Sequence, residues 1–135
     1  NLLVGYDFSE YADLALSYAL LFAKDYGANV YILHVVPRIA EATSAYPTTY
    51  NHAYKKLQTI LPADTKSTYK TEFLVSEGPP YREILIQAEE KNIDMVFMGT
   101  RGADFGMKAI FGSNVDRVIR LSPCPVFIAR PLKWN

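Results

Sequence analysis

Gly99-Thr100-Arg101-Gly102 is followed, after nine further residues, by Gly112-Ser113. This spacing suits anion binding. A glycine at the end of a strand lets the main chain pass close to a ligand and adopt positive φ without a Cβ penalty. Gly112 and Ser113 would open a helix whose first N–H groups have no acceptor within the helix and point at whatever lies above them. The Ser113 hydroxyl can cap that helix or donate to an oxyanion, and Arg101 and Lys108 bring positive charge to the same stretch. Spacing alone leaves a second reading open, in which the glycines only make turns in a long loop.

Other reactive residue types are less well placed. Asp7 follows a short apolar run, where a carboxylate serves as a hydrogen-bond acceptor more readily than as a lone metal ligand or general base. His34 lies inside an apolar strand and reads as a satisfied core histidine, while His52 has no ligand partner at useful spacing. Cys124 sits between two prolines and reads as a small core residue. The chain lacks a GxxxxGK[ST] loop, a GxGxxG turn after the first strand, an HExxH helix and a GxSxG elbow. These absences remove the Walker-type, dinucleotide, zinc-protease and serine-hydrolase readings. No catalytic residue and no protein-built metal site are assigned.

The elements that must position these residues alternate along the chain. Leu2–Gly5 reads as a buried strand, and Ser9 as the N-cap of an amphipathic helix that carries Ala12, Ala15, Leu16, Ala19, Leu20 and Ala23 and ends near Gly27. Val30–Val36 is a second strand, apolar enough to be covered on both faces. A helix is predicted over about 48–61, with Tyr46, Tyr50 and Tyr54 as a packing stripe. Tyr69–Val75 is a third strand, and Gly78-Pro79-Pro80 turns the chain into a helix with Ile84, Leu85 and Ala88 inward. Asp94–Gly99, Gly112–Leu121 and Pro125–Ala129 complete the pattern as strand, helix and strand. Strict alternation requires crossover connections, and right-handed crossovers build an open parallel five-stranded sheet with helices on both faces. Ligands in such sheets sit beyond the carboxyl ends of the strands.

With these residues in view, the chain resembles the universal stress protein family, in its ATP-binding subgroup. The pattern G-x2-G-x9-G-S from Gly99 to Ser113 carries the resemblance, with Val4-Gly5-Tyr6-Asp7-Phe8-Ser9, Leu33-His34-Val35-Val36, Gly78-Pro79-Pro80 and Pro123-Cys124-Pro125-Val126 in the expected order. It implies one such domain over residues 1–135, a strand order of 3-2-1-4-5 and an adenine nucleotide alpha hydrolase-like fold. It also implies ATP as the bound cofactor, with any Mg²⁺ carried through the phosphates. Asp7 would meet the adenosine end and Val35 the adenine; Met98 and Gly99 would border base and ribose. Arg101 and Gly102 would begin the phosphate loop, and Gly112, Ser113 and Asn114 would hold the phosphates. A homodimer through the strand at 125–129 is implied as well. Two departures stand out: Asn114 occupies a position where valine is common, and the segment between the second and third strands is short.

Composition sets the outer limits. Fourteen Lys and Arg balance fourteen Asp and Glu, which argues against a dedicated nucleic-acid binder. The charge is unevenly spread, because residues 101–135 hold six basic and two acidic side chains against eight and twelve in residues 1–100. No apolar run is long enough to suggest a membrane span. A single cysteine suits a reducing compartment and a cytoplasmic location. The expectation is a nucleotide-dependent regulator with at most slow hydrolysis. Its rivals are an ATPase or phosphotransferase using Asp7 or Asp104, and a nucleotide-free interaction module, as in a tandem protein or a transporter's cytoplasmic domain.

Overall fold

The computed structural model describes residues 1–38, 46–100 and 112–131. Five strands, β1 (Leu2–Gly5), β2 (Asn29–Val36), β3 (Lys70–Glu77), β4 (Met95–Gly99) and β5 (Val126–Ala129), form one parallel sheet in the order β3-β2-β1-β4-β5. This is the open sheet expected from the alternation. Register is set by apolar side chains on both faces: Val4 pairs with Ile32 on one side and with Phe97 on the other. A shift of one residue would exchange the two faces.

Helices α1 (Glu10–Tyr26) and α2 (Tyr46–Leu57) cover one face, and α4 (Pro80–Glu90) and α5 (Ser113–Leu121) cover the other. A single turn, α3 (Thr65–Thr68), precedes β3. Val4, Val30, Ile32 and Phe97 pack towards α1, whereas Leu3, Leu33, Val96 and Met98 pack towards α4 and α5.

α1 begins as its sequence dictates. Ser9 Oγ accepts the Ala12 N–H at 3.1 Å, and Glu10 and Asp13 occupy the first turn. It ends at Gly27, whose φ of +63° is the left-handed cap that glycine supplies without strain. Its buried face is Ala12, Ala15, Leu16, Ala19 and Ala23, and so small a face lets the helix lie close to the sheet.

Two expectations are adjusted. The second helix stops at Leu57, earlier than predicted, with Ile60 and Leu61 reaching the core from the turn beyond it. Its most buried positions are Ala53 and Leu57, one turn apart. Tyr50 and Tyr54 flank them half-buried and stack on each other, with ring centroids 6.4 Å apart. Tyr50 and Tyr54 therefore border the core and do not fill it, and the side chain of Tyr46 lies outside what the structure describes.

Candidate functional site

The sheet order reverses at β1, which has β2 on one side and β4 on the other, and a crevice opens beyond the carboxyl ends of these strands. A cavity of about 520 Å³ occupies it, within the ~300–1,000 Å³ typical of small-molecule sites. Gly5, Tyr6 and Asp7 approach it from β1, His34, Val35 and Pro37 from β2, and Met98 and Gly99 from β4. Pro80 and Ile84 come from α4, and Gly112, Ser113, Asn114 and Val115 from the start of α5. The predicted residues Asp7, Val35, Met98, Gly99, Gly112, Ser113 and Asn114 thus line one cavity, although they come from four separate parts of the chain. Arg101 and Gly102, with Asp104 and Lys108, lie outside the described residues.

Each wall has a local cause. Past β1, Tyr6 continues the ladder by donating its N–H to the Leu33 carbonyl at 2.8 Å. The chain then turns at Phe8, which holds φ at +63°. Asp7 is fixed across that turn, where its Oδ1 accepts from both the main-chain N–H (3.0 Å) and the hydroxyl of Ser9. Two donors on one carboxylate oxygen make it a fixed acceptor. The Phe8 ring meets Tyr6 edge-on at 5.1 Å and His34 at 4.8 Å, and the Lys56 ammonium of α2 stands 4.2 Å above it.

His34 is not the core residue expected. It is half-buried and lines the cavity. Its Nδ1 lies 2.8 Å from the Tyr6 carbonyl oxygen, which can only accept, so Nδ1 carries the proton. Tyr6 itself is buried and donates its hydroxyl to Asp13 Oδ1. Burial first, then that hydrogen bond and the charges of Asp13 and Asp7, push its ionisation above the usual tyrosine range.

At the opposite wall, Gly112 is the N-cap of α5 and its N–H is taken by the Thr100 carbonyl at 3.1 Å. The first bond inside the helix is Asp116 N–H to Gly112 carbonyl. The N–H groups of Ser113, Asn114 and Val115 therefore have no acceptor within the helix. They form a ready seat for an anion, reinforced by the helix dipole. Asn114 Oδ1 faces across to α4 and accepts the Tyr81 N–H at 3.0 Å.

Gly99 has a different reason from the one expected. Among the described glycines, positive φ occurs at Gly27 and Gly78. A Cβ at Gly99 would instead lie 2.8 Å from the main-chain carbon and oxygen of Tyr11. This glycine is required by the approach of α1. Ile84 was assigned to the core, and it also floors the cavity beneath Gly5, where an added Cβ would sit 3.1 Å from its Cδ1. Tyr6 and Pro37, just past the ends of β1 and β2, and Pro80, at the entry to α4, stand where the sequence pattern directs attention, and they join the wall although no ligand contact is assigned to them from sequence.

A model of the universal stress protein family matches residues 1–130. The chain belongs to that family. Universal stress protein YxiE of Bacillus subtilis is 31% identical over 145 residues, covering 96% of this chain and 98% of that protein. Among solved structures, protein MJ0577 of Methanocaldococcus jannaschii is similar with a TM-score of 0.84 at 25% identity, covering 98% of this chain and 96% of that one. A universal stress protein of Archaeoglobus fulgidus, solved in complex with dAMP, shares the fold with a TM-score of 0.62 at 21% identity and 95% coverage of each chain.

Proposed function

We propose that this universal stress protein binds an adenine nucleotide, ATP in its working state, in the cavity at the carboxyl edge of the sheet. The observation that carries this reading is the convergence there of an apolar pocket, a fixed carboxylate and three helix-start N–H groups lacking intrahelical acceptors. Val35, Met98 and Ile84 offer apolar surface to a planar base. Asp7 accepts a hydrogen bond from the adenosine, with Gly99 beside the ribose. The phosphates lie towards Gly112, Ser113 and Asn114, and Arg101 and Gly102, outside the described residues, would begin the phosphate loop. A divalent ion such as Mg²⁺ would arrive with the phosphates. The dAMP complex of the A. fulgidus relative supports an adenine ligand in this fold.

The role we assign is regulatory. The two donors of Ser9 occupy Asp7 Oδ1, and none of the described cavity residues forms a nucleophile–base pair of the kind hydrolases use. We further propose that the protein is a cytoplasmic homodimer joined through the outer edge of β5.

Denaturing the purified protein and identifying the released small molecules tests the reading. Adenine nucleotide is expected from the parent, and little from Gly112→Val, whose side chain would intrude on the space assigned to phosphate. Equal recovery from both proteins would refute the site.

A further inference from the structure

Two helices begin beside the cavity, and their first turns are satisfied in opposite ways. In α4 the N-cap is Pro79, which supplies no side-chain cap, and the first helical residue is Pro80. Neither proline has an N–H to satisfy. Arg82 and Glu83 both donate to the Pro79 carbonyl, at 3.1 and 3.2 Å. The one remaining first-turn donor is the N–H of Tyr81, and it goes to Asn114 Oδ1 at 3.0 Å, from a residue 33 positions away. One turn further along α5, the Arg117 guanidinium stands 4.7 Å from the centre of the Tyr81 ring. Tyr81 is thus held twice by one face of α5, through its main chain and through its ring. In α5 the N-cap is Gly112, which has no side chain, and the following three N–H groups are left without intrahelical acceptors.

From this asymmetry we propose that the Asn114 side chain is a positioning residue for the ligand: by capping α4 from α5, it fixes the α5 amides over the cavity and leaves them, of the two helix starts, as the anion seat. This rests on the nucleotide reading above and adds to it a role for the side chain of Asn114. It also gives a reason for asparagine at a position where valine is common. Valine has no oxygen to offer Tyr81, so in its place the two helix starts would lose their only hydrogen-bonded link among the described residues. Pro80 and Ile84 of α4 line the same cavity, so a shift of α4 against α5 changes the site from both sides.

The test combines amide hydrogen exchange at Tyr81 with ATP titration, on the parent and on Asn114→Val, Asn114→Ala and Asn114→Asp. Loss of a cap of this kind corresponds to about a fivefold change in an equilibrium constant. Without nucleotide, Tyr81 exchange should quicken by about that factor in the Val and Ala variants and stay slow in Asn114→Asp, which keeps an acceptor oxygen. ATP affinity should fall about fivefold or more in the Val and Ala variants. Alanine, the better helix former, guards against misfolding of the valine variant, and far-ultraviolet circular dichroism verifies both. Unchanged Tyr81 exchange would overturn the proposal, and so would faster exchange with unaltered ATP affinity. A parent that takes up no ATP would refute the nucleotide reading first and this proposal with it, and is recognised because the parent itself fails.

Discussion

The main chain of Tyr11 passes so close to Gly99 that a methyl group there would lie 2.5 Å from the Tyr11 Cβ and 2.8 Å from its carbonyl oxygen. Neither contact can be tolerated without moving α1 away from β4. The glycine that begins the G-x2-G-x9-G-S pattern is therefore required by helix packing whether or not a ligand is bound.

Gly99→Ala is accordingly expected to destabilise the protein by about 1–3 kcal/mol even without nucleotide, the usual cost of overpacking a well-filled contact. Urea denaturation of nucleotide-stripped protein measures this. A variant as stable as the parent, with only its ligand affinity reduced, would show that Gly99 serves the ligand and not the helix.

Phe8 offers a test in which the usual order of two substitutions is inverted. Its left-handed backbone costs about 1–2 kcal/mol for a residue with a side chain. Both Phe8→Ala and Phe8→Gly lose the ring contacts with Tyr6, His34 and Lys56. The glycine variant alone sheds the strain, so it should be the more stable of the two by about 1 kcal/mol. In an ordinary loop, alanine would lead by roughly 0.4–1 kcal/mol. Chemical denaturation of the pair decides between these orders.

Tyr6 makes stability depend on alkaline pH. The unfolded chain releases this phenolic proton near its ordinary value of 10.0, whereas the folded protein retains it to higher pH. The folded state then binds more protons, so its stability is intact below pH ~10 and declines as pH rises beyond that. Tyr6→Phe should remove this part of the alkaline decline. At neutral pH it should cost about 1 kcal/mol, through loss of the bond to Asp13. Urea midpoints of parent and variant compared at about pH 8 and about pH 11 give the answer. Parallel pH profiles would contradict it.

The edge of β5 can be tested without disturbing its pairing with β4. Val96 donates to Pro125 and Thr100 to Ala129, at 2.9 and 3.2 Å. Residues 125, 127 and 129 therefore bond inward, and alternation turns the N–H groups of Val126 and Ile128 outward. Val126→Pro, at the first residue of the strand, removes one outward donor and should weaken dimerisation about fivefold or more while the monomer stays folded. Sedimentation equilibrium measures this, and unchanged self-association would contradict pairing at this edge.

The sheet was legible because its signals are local, whereas most cavity residues followed from the family resemblance laid on the strand ends. Val30–Val36 is apolar except for His34, Ser9 and Gly27 punctuate the first helix, and Gly112 precedes a helical period. What was missed depends on distance in sequence. Nothing near His34 shows that Tyr6 ends beside it, so a half-buried cavity residue read as core. The close approach of Tyr11 to Gly99 is likewise a contact between elements, invisible in either segment alone. The second helix ran short because Leu61 keeps the apolar spacing after the main chain has left the helix at Leu57. Asn114 looked like a departure from the common valine, and only its partner Tyr81 makes sense of it.

The claim on which the rest depends is that phosphate is gripped by the first amides of α5, and amide chemical shifts report on this directly. Titration of isotope-labelled, nucleotide-stripped protein with ATP should move the N–H resonances of Ser113, Asn114 and Val115 furthest downfield, together with those around Asp7 and Val35. Amides of β3 facing away from the cavity should stay in place. Saturable ATP binding that leaves the three α5 amides unmoved, or no binding at millimolar ATP, would contradict the account.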